Sequence, residues 1–298
     1  METQRPDTDV DVIDTEDALA IEIQREQNAA PQVPKENLAR VILPPFVLGA
    51  AIIGFWYFIS YGLLSERRRF LLRPPHEVLN NAFLDGDVME EIMLSTWSST
   101  KVAFFGLVIA AAMGLVLAVL MSQTKLVERA MFPYLVVLQS VPILAIVPLI
   151  GFWFGFGQTS RIVVCVIIAF FPLVVNTLFG LQSAERGMHD LFTLHNANRA
   201  TRLQKLKMPA AMPAMFAGLR ISAGLSVIGA IVGDFFFGQG EPGIGQRLRT
   251  YSNRLQGEEL LAAVIISASL GVAVFLFFTW LQNRVVGKWY SGAGGSGV

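Results

Sequence analysis

The sequence predicts an all-α polytopic membrane protein with six transmembrane helices. Only 15% of its 298 residues are charged, where an ordinary soluble domain carries about a quarter. Hydrophobic residues make up 53%, and the mean hydropathy is +0.53. The missing charge is concentrated in blocks, each long enough for a span of about 20 apolar residues. These blocks are Val41–Leu64, Val102–Thr124, Ala130–Ser160, Ile162–Ala184 and Leu260–Asn283, with a sixth, Met208–Gly240, broken only by Arg220 and Asp234.

Ahead of the first block, residues 1–38 hold ten acids and three bases. Low hydrophobicity with like charge predicts a disordered acidic tail. No cleavable leader is expected: Val41–Leu64 is uncharged over 24 residues and stays as an anchor behind a long polar segment. Residues 39–290 form the predicted membrane domain, and 291–298 a flexible end. Ala130–Ser160 is too long for one simple span, and Gly155 and Gly157 break it near Phe152–Ser160. Pro133, Pro142, Pro148, Pro172 and Pro213 fall inside spans, which membrane bundles tolerate where neighbours or water satisfy the freed carbonyls. Gly114, Gly218, Gly224, Gly229 and Gly233 suit close helix contacts. The one cysteine, Cys165, permits no intrachain disulfide and reads as a packing thiol.

The one long polar interruption between the later spans is Gln182–Met212. Five bases (Arg186, Arg199, Arg202, Lys205, Lys207) and two acids (Glu185, Asp190) give it a net charge of +3. Met188, Leu191, Phe192 and His195 follow helical spacing and form an apolar stripe. Two readings are open from these residues: a helix lying on the lipid surface, or a docking helix for a cytosolic partner. Counting bases with the N-terminus inside gives eleven inner against eight outer, so the positive-inside rule favours cytoplasmic termini.

Arg220 and Asp234 are ionisable groups inside a span, where such groups face protein or a wet cavity. They lie 14 residues apart, or about 21 Å along a helix, too far to pair directly. After Asp234 the glycines of FFFGQGEPGIGQ lack the GK[ST] of a phosphate loop and read as a turn into a short amphipathic outer helix. His76, His189 and His195 have no metal-site spacing, and no catalytic motif is present. The zero net charge gives no electrostatic case for nucleic acid.

Against this background the polar loop resembles the cytoplasmic loop of bacterial ABC importer permeases. That loop opens on Glu-Ala-Ala, has Gly six residues after the Glu, and reaches Leu-Pro nineteen residues after it. Asp190 takes the Glu place, Leu191 and Phe192 the Ala places, Asn196 the Gly place, and Pro209 closes the pattern. The run through Pro213 to Gly218-Leu219-Arg220 resembles the family's LPAALP and GLR. Ser140–Ile162 is similar to its proline-rich third span. Asp234 with Gly243-Ile244-Gly245 is similar to the acid and Gly-Leu-Gly of the sulfonate, taurine and nitrate branch.

The resemblance implies a type I importer permease fold like that of methionine importers, in a bacterial cytoplasmic (inner) membrane. It implies no catalysis by this chain and no cofactor bound by it, ATP and Mg belonging to a partner subunit. The implied partners are cytosolic ABC ATPase subunits, an extracytoplasmic solute-binding protein, a second permease copy and membrane lipid. Asp190, Leu191, Phe192, His195 and Asn196 would dock the ATPase, with Pro209 and Pro213 setting the angle to the next span. Arg220, Asp234, Pro142 and Pro148 would line the path. Asn196 tolerates a left-handed turn, so helix–turn–helix geometry is expected despite the missing Gly. Relatives of this kind carry sulfonates, taurine, nitrate, pyrimidine precursors or flavins. The aromatics Phe152–Phe154 and Phe235–Phe237 suit a flat organic solute, and they equally suit an interface belt. The competing classes are an ATP-independent secondary transporter or channel, for which no internal repeat is visible, and a membrane enzyme, for which polar clusters are lacking.

Overall fold

The protein is described by a computed structural model over residues 38–290. Apart from Leu38, the acidic tail of residues 1–38 falls outside the described residues, as does the end over 291–298. The chain divides into two compact units, residues 1–55 and 56–298. The described part of the first is helical: α1 (Leu38–Phe58) begins in it, and Phe46, Leu48 and Phe55 are exposed on that helix.

The second unit takes over α1's last residues and continues through α2 (Pro75–Val78), α3 (Gly86–Met121), α4 (Lys125–Ser140), α5 (Ile143–Phe154) and α6 (Gln158–Gln182). It then forms α7 (Arg186–Leu194), α8 (Arg199–Arg202), α9 (Met208–Phe236), α10 (Ile244–Asn253) and α11 (Gly257–Tyr290). No strand occurs among the described residues. Five helical segments among the described residues are long and apolar enough to cross a membrane, and a bent helix pair makes a sixth if it is counted as one span. That pair, α4 and α5, is bent by 97° where one overlong block was expected. Gly155, at φ 83°, caps α5 and Gly157 precedes α6, so both expected breakers fall between helices.

Two spans are longer than their apolar blocks. α3 starts at Gly86, where the Asp85 side chain accepts from the N–H groups of Asp87 and Val88 at 3.0 and 3.2 Å. Its 36 residues rise about 54 Å, well past a hydrocarbon core of about 30 Å. The first turns therefore carry Asp87, Glu90 and Glu91 beyond the apolar region. α9 in turn continues unbroken from α8 through a π-turn at Leu203–Lys207. Pro209 has no N–H to offer the Lys205 carbonyl, and the ladder widens just ahead of it, Met208 N–H reaching back to Leu203.

The centre of the unit is α6 against α9, flanked by α3. Small residues let these backbones meet. A Cβ on Gly229 would lie 2.8 Å from Cys165 Cα, and one on Gly218 2.7 Å from Asn176 Cβ. Gly233 and Gly114 are similarly crowded, by Arg161 and Leu173, whereas Gly224 has open space around it. Ser222 Oγ donates across to the Ala169 carbonyl at 2.7 Å. Cys165 is wholly buried among Val102, Ala103, Val227 and Ala230, a packing residue as expected. The broken span sits looser. α4 buries only Leu135, and α5 packs through Ile143, Ile146, Val147 and Ile150 onto α6 and Phe237.

The short helix expected after the glycines forms as α10, burying Ile244 and Tyr251. Its link to α11 puts Leu255 at φ 56°, with Leu255 N–H bonded to Ser252 O at 3.2 Å and Gln256 N–H to Tyr251 O at 2.9 Å. A left-handed leucine is strained by about 1–2 kcal/mol, and this one is exposed, so little packing is lost on its removal. Leu255→Gly is therefore expected to raise the melting temperature in detergent, and a lowered one would contradict this reading of the turn.

Candidate functional site

One end of the second unit is built by the polar loop. The loop is tied to the ends of the spans: Lys207 Nζ donates to Ser122 O at 2.8 Å and Gln182 Nε2 to Glu128 Oε2 at 2.9 Å. α7 closes on three backbone bonds, His195 N–H to Leu191 O, Asn196 N–H to Thr193 O and Ala197 N–H to Phe192 O, at 3.2, 3.0 and 3.0 Å. This is a Schellman stop, and it needs a left-handed residue after the cap. Asn196 supplies it at φ 50°. Asn198 then caps α8 by accepting from Thr201 N–H at 2.7 Å, and Arg202 Nη2 reaches back to Thr193 Oγ1 at 3.0 Å. The helix–turn–helix expected from the Asn-for-Gly exchange is present.

α7 buries none of its residues. Met188, Leu191 and Leu194 are 42%, 45% and 80% exposed, so its bare apolar face runs along these three. Phe192 is half-buried, Asp190 is exposed, and exposed His195 has Nδ1 3.0 Å from Leu191 O. The stripe thus differs from the expected one: Phe192 turns partly inward, and Leu194, which the sequence reading passed over, is its most exposed member. The i, i+3 spacing from Leu191 was the signal for it. Pro209 lies in the first turn of α9 and Pro213 one turn further on. Behind α7, His189, Arg199, Arg202 and Lys207 line a basic hollow of about 200 Å³.

At the other end of α9 a buried ionic knot fixes the turn into α10. Asp234 has no solvent exposure and Arg161 only 2%, with Nη1 3.4 Å from Oδ1. Ser99 Oγ donates to Asp234 and accepts from Ile244 N–H at 2.8 Å. The Arg161 guanidinium also donates to the carbonyls of Phe237 (2.8 and 3.1 Å), Gln239 (3.1 Å) and Glu241 (2.8 Å). Gly243 and Gly245 close the knot: a Cβ on the first would fall on the Asp234 carboxylate, and one on the second on the Ile231 carbonyl. The acid and the Gly-Ile-Gly recognised nine residues apart in sequence are one object in space.

Around this knot, Lys101 Nζ donates to Glu241 at 2.7 Å and holds that carboxyl below the usual range. Glu91 pairs with Arg247 and accepts from Tyr251 Oη at 2.9 Å. Burial, with the Glu91 charge, pushes the Tyr251 phenol up.

The four residues expected along a path fall in three places. Asp234 is enclosed in the knot, facing Arg161 and Ser99 instead of an open route. Arg220 is half-buried, its guanidinium 5.0 Å above the Phe275 ring of α11. Pro142 and Pro148 lie together on the broken span, both exposed, Pro142 at the bend itself. The sequence reading missed Arg161 and Ser99. Arg161 is the single charge between Ala130 and Ala184, and matching it to the lone acid of the later block would have found the pair. Among the described residues no group of three or more His, Cys, Asp or Glu is placed to hold a metal ion.

A family model described as binding-protein-dependent transport system inner membrane component matches residues 106–287. The chain belongs to this family. It is 28% identical to a probable ABC transporter permease protein of Haemophilus influenzae, over 82% of this chain and 97% of that one. It is 32% identical to the formylaminopyrimidine transport permease protein ThiX of Halalkalibacterium halodurans, over 72% and 84%. A crystal structure of an amino acid ABC transporter shares the fold, with a TM-score of 0.54 at 16% identity, covering 68% of this chain and 98% of that one. The permease is thus a multi-pass protein of the cytoplasmic membrane and the membrane-spanning subunit of an ABC importer. It moves a small solute delivered by a solute-binding protein. The loop end of α9 and Asp234 both lie inside the matched region.

Proposed function

We propose that α7 is the surface through which a separate ATPase subunit drives this permease. The observation that carries the reading is the bare face of Met188, Leu191 and Leu194 on a helix that buries nothing of its own, joined by α8 and the π-turn to a continuous span. Exposed apolar side chains clustered on a short polar loop mark a partner site. Asp190, His195 and Asn196 flank this face, Phe192 backs it, and Pro209 and Pro213 set the angle at which α9 leaves the loop, so that a push on α7 is carried into the span. ATP and Mg bind on the partner, which performs the hydrolysis.

In this account two permease copies pair, their loops and termini lie in the cytoplasm, and the path alternates between outward and inward states by rigid-body rocking. The solute-binding protein meets the opposite end, where the Arg161–Asp234 knot holds the α9–α10 turn rigid. The broken span with Pro142 and Pro148 lines the path, with Arg220 beside it. Arg199, Lys205 and Lys207 contact lipid head groups. The formylaminopyrimidine permease among the relatives supports an organic ring as cargo.

The test is mild-detergent purification of the tagged permease from its own host, with mass spectrometry of what accompanies it. The wild type should retain an ABC ATPase, and the pair Leu191→Asp with Leu194→Asp should lose it while the permease stays folded. Retention of the ATPase by the doubly substituted chain would place the docking surface elsewhere.

A further inference from the structure

The basic hollow behind α7 carries charge that nothing in the fold compensates. His189 lines it from α7, Arg199 and Arg202 from α8, Leu203 and Lys207 from the π-turn, and Gln123 from just past the end of α3. Three of these are cations and none is an acid, the loop's own acids, Glu185 and Asp190, being exposed and outside it. Among the described residues no ion pair uses Arg199, Arg202 or Lys207. Other hollows of this chain balance their charges. The adjoining one, which shares Gln123, sets Glu128 beside Lys125 and Arg129, and one at the knot sets Glu241 beside Lys101 and Arg161. Like charges gathered without a counter-charge repel, yet the loop holds these together.

Local hydrogen bonds place the cations and leave most of their donors free. Lys207 Nζ donates to Ser122 O at 2.8 Å, and Arg202 Nη2 to Thr193 Oγ1 at 3.0 Å. An ammonium has three N–H donors and a guanidinium five, so both keep the larger part. The Arg199 guanidinium and the half-buried His189 imidazole have no partner among the described residues. At about 200 Å³ the hollow falls below the roughly 300–1,000 Å³ of pockets that enclose a whole organic ligand. It matches roughly seven waters of liquid, the room of one small oxyanion and its hydration.

We propose that this hollow seats one phosphate group, held by Arg199, Arg202, Lys207 and His189. The planar guanidinium fork pairs with phosphate oxygens, and the ammonium adds a point charge. A tetrahedral anion can meet donors arriving from α7, α8 and the π-turn at once, which the two coplanar oxygens of a carboxylate cannot. The phosphate belongs to an anionic lipid head group or to a soluble phosphate of the cytosol, and the seat recognises the chemistry common to both. By helical period His189 falls opposite the middle of the Met188, Leu191 and Leu194 face. A bound phosphate thus ties the back of α7 to α8 and the end of α3 without covering the face meant for the ATPase. The inference rests on the permease reading and adds a ligand site to its loop.

The test uses the full-length permease in lipid nanodiscs and the double variant His189→Gln with Arg199→Gln. Neither side chain has a partner to lose, so the loop's own hydrogen bonds stay in place. Arg186→Gln removes an exposed loop cation outside the hollow and is the control. In discs of phosphatidylcholine mixed with phosphatidylglycerol, native mass spectrometry scores the phosphatidylglycerol that stays bound. In discs of phosphatidylcholine alone, inorganic phosphate is titrated and followed by phosphorus NMR. The wild type should bind saturably in at least one arm, the double variant about tenfold or more weakly, as losing charge-assisted bonds requires, and the control like wild type. Binding in the first arm alone assigns the seat to lipid, and in the second to soluble phosphate. No saturable binding in either arm, or equal weakening by Arg186→Gln, would overturn the proposal. Wild-type protein from its own host is also scored for bound ATPase. Phosphate binding without the ATPase sinks the coupling account alone, and the reverse pattern sinks only the phosphate seat.

Discussion

Replacing Asp234 with alanine is expected to destabilise the permease by about 3–5 kcal/mol, the range for stranding one partner of a buried ion pair. The guanidinium of Arg161 would remain 2% exposed with no counter-charge, and the Ser99 hydroxyl, which also receives Ile244 N–H, would be left with only the Ser95 carbonyl as acceptor, at 3.1 Å. The loss should appear as a large fall in melting temperature in detergent and in the fraction of monodisperse protein. Asp234→Asn keeps the shape and an acceptor, so it should fall between alanine and wild type. Because Arg161 and Asp234 belong to one network, Arg161→Met combined with Asp234→Ala should cost less than the sum of the single changes. A change of under about 0.5 kcal/mol in Asp234→Ala, the size of an ordinary surface substitution, would show that Asp234 is not the counter-charge.

The second large effect concerns the seam between α6 and α9. A side chain on Gly229 would strike the Cys165 backbone, Cα at 2.8 Å and N at 3.3 Å, and backbone cannot swing aside as a rotamer can. Gly229→Leu should force the two central helices apart, at about 3 kcal/mol or more, the upper range for an overpacked core. Gly224→Leu, on the same helix with nothing within 4 Å of its Cβ, is the matched control and should be tolerated. Measured together, the two variants separate the loss of close packing from any general effect of a bulky side chain in α9. Equal stability of the pair would remove close approach as the reason for glycine at position 229.

Much of this molecule is legible in its sequence because membrane spans obey a crude rule. A block of about 20 uncharged residues has few fates, and the five uncharged blocks with the one broken by Arg220 and Asp234 correspond to the five apolar segments and the bent pair. Local backbone chemistry was legible too: Asn196 takes the left-handed turn its side chain allows, and Gly155 and Gly157 separate α5 from α6. What escaped was long-range. Nothing near Arg161 in sequence says that it reaches the carbonyls of residues 237–241, some eighty positions on. The 97° bend was hidden because proline marks where a helix can break but not by how much. Leu255 took a left-handed conformation for which its own side chain gives no signal, at a turn closed by Gln256 N–H on Tyr251 O. Leu194 was passed over because a helical stripe was drawn through Phe192, which the fold turns half inward.

The account stands or falls on whether α7 touches an ATPase. A photo-crosslinking residue placed at Leu194, and separately at Leu191, in the permease expressed in its own host measures this directly. The prediction is capture of an ABC ATPase subunit from both positions and none from Ser252, an exposed residue of α10 beyond the knot at the far end of α9. Capture from Ser252 alone, or from none of the three while the permease remains in the membrane, would contradict the assignment of α7 as the surface that couples ATP to transport.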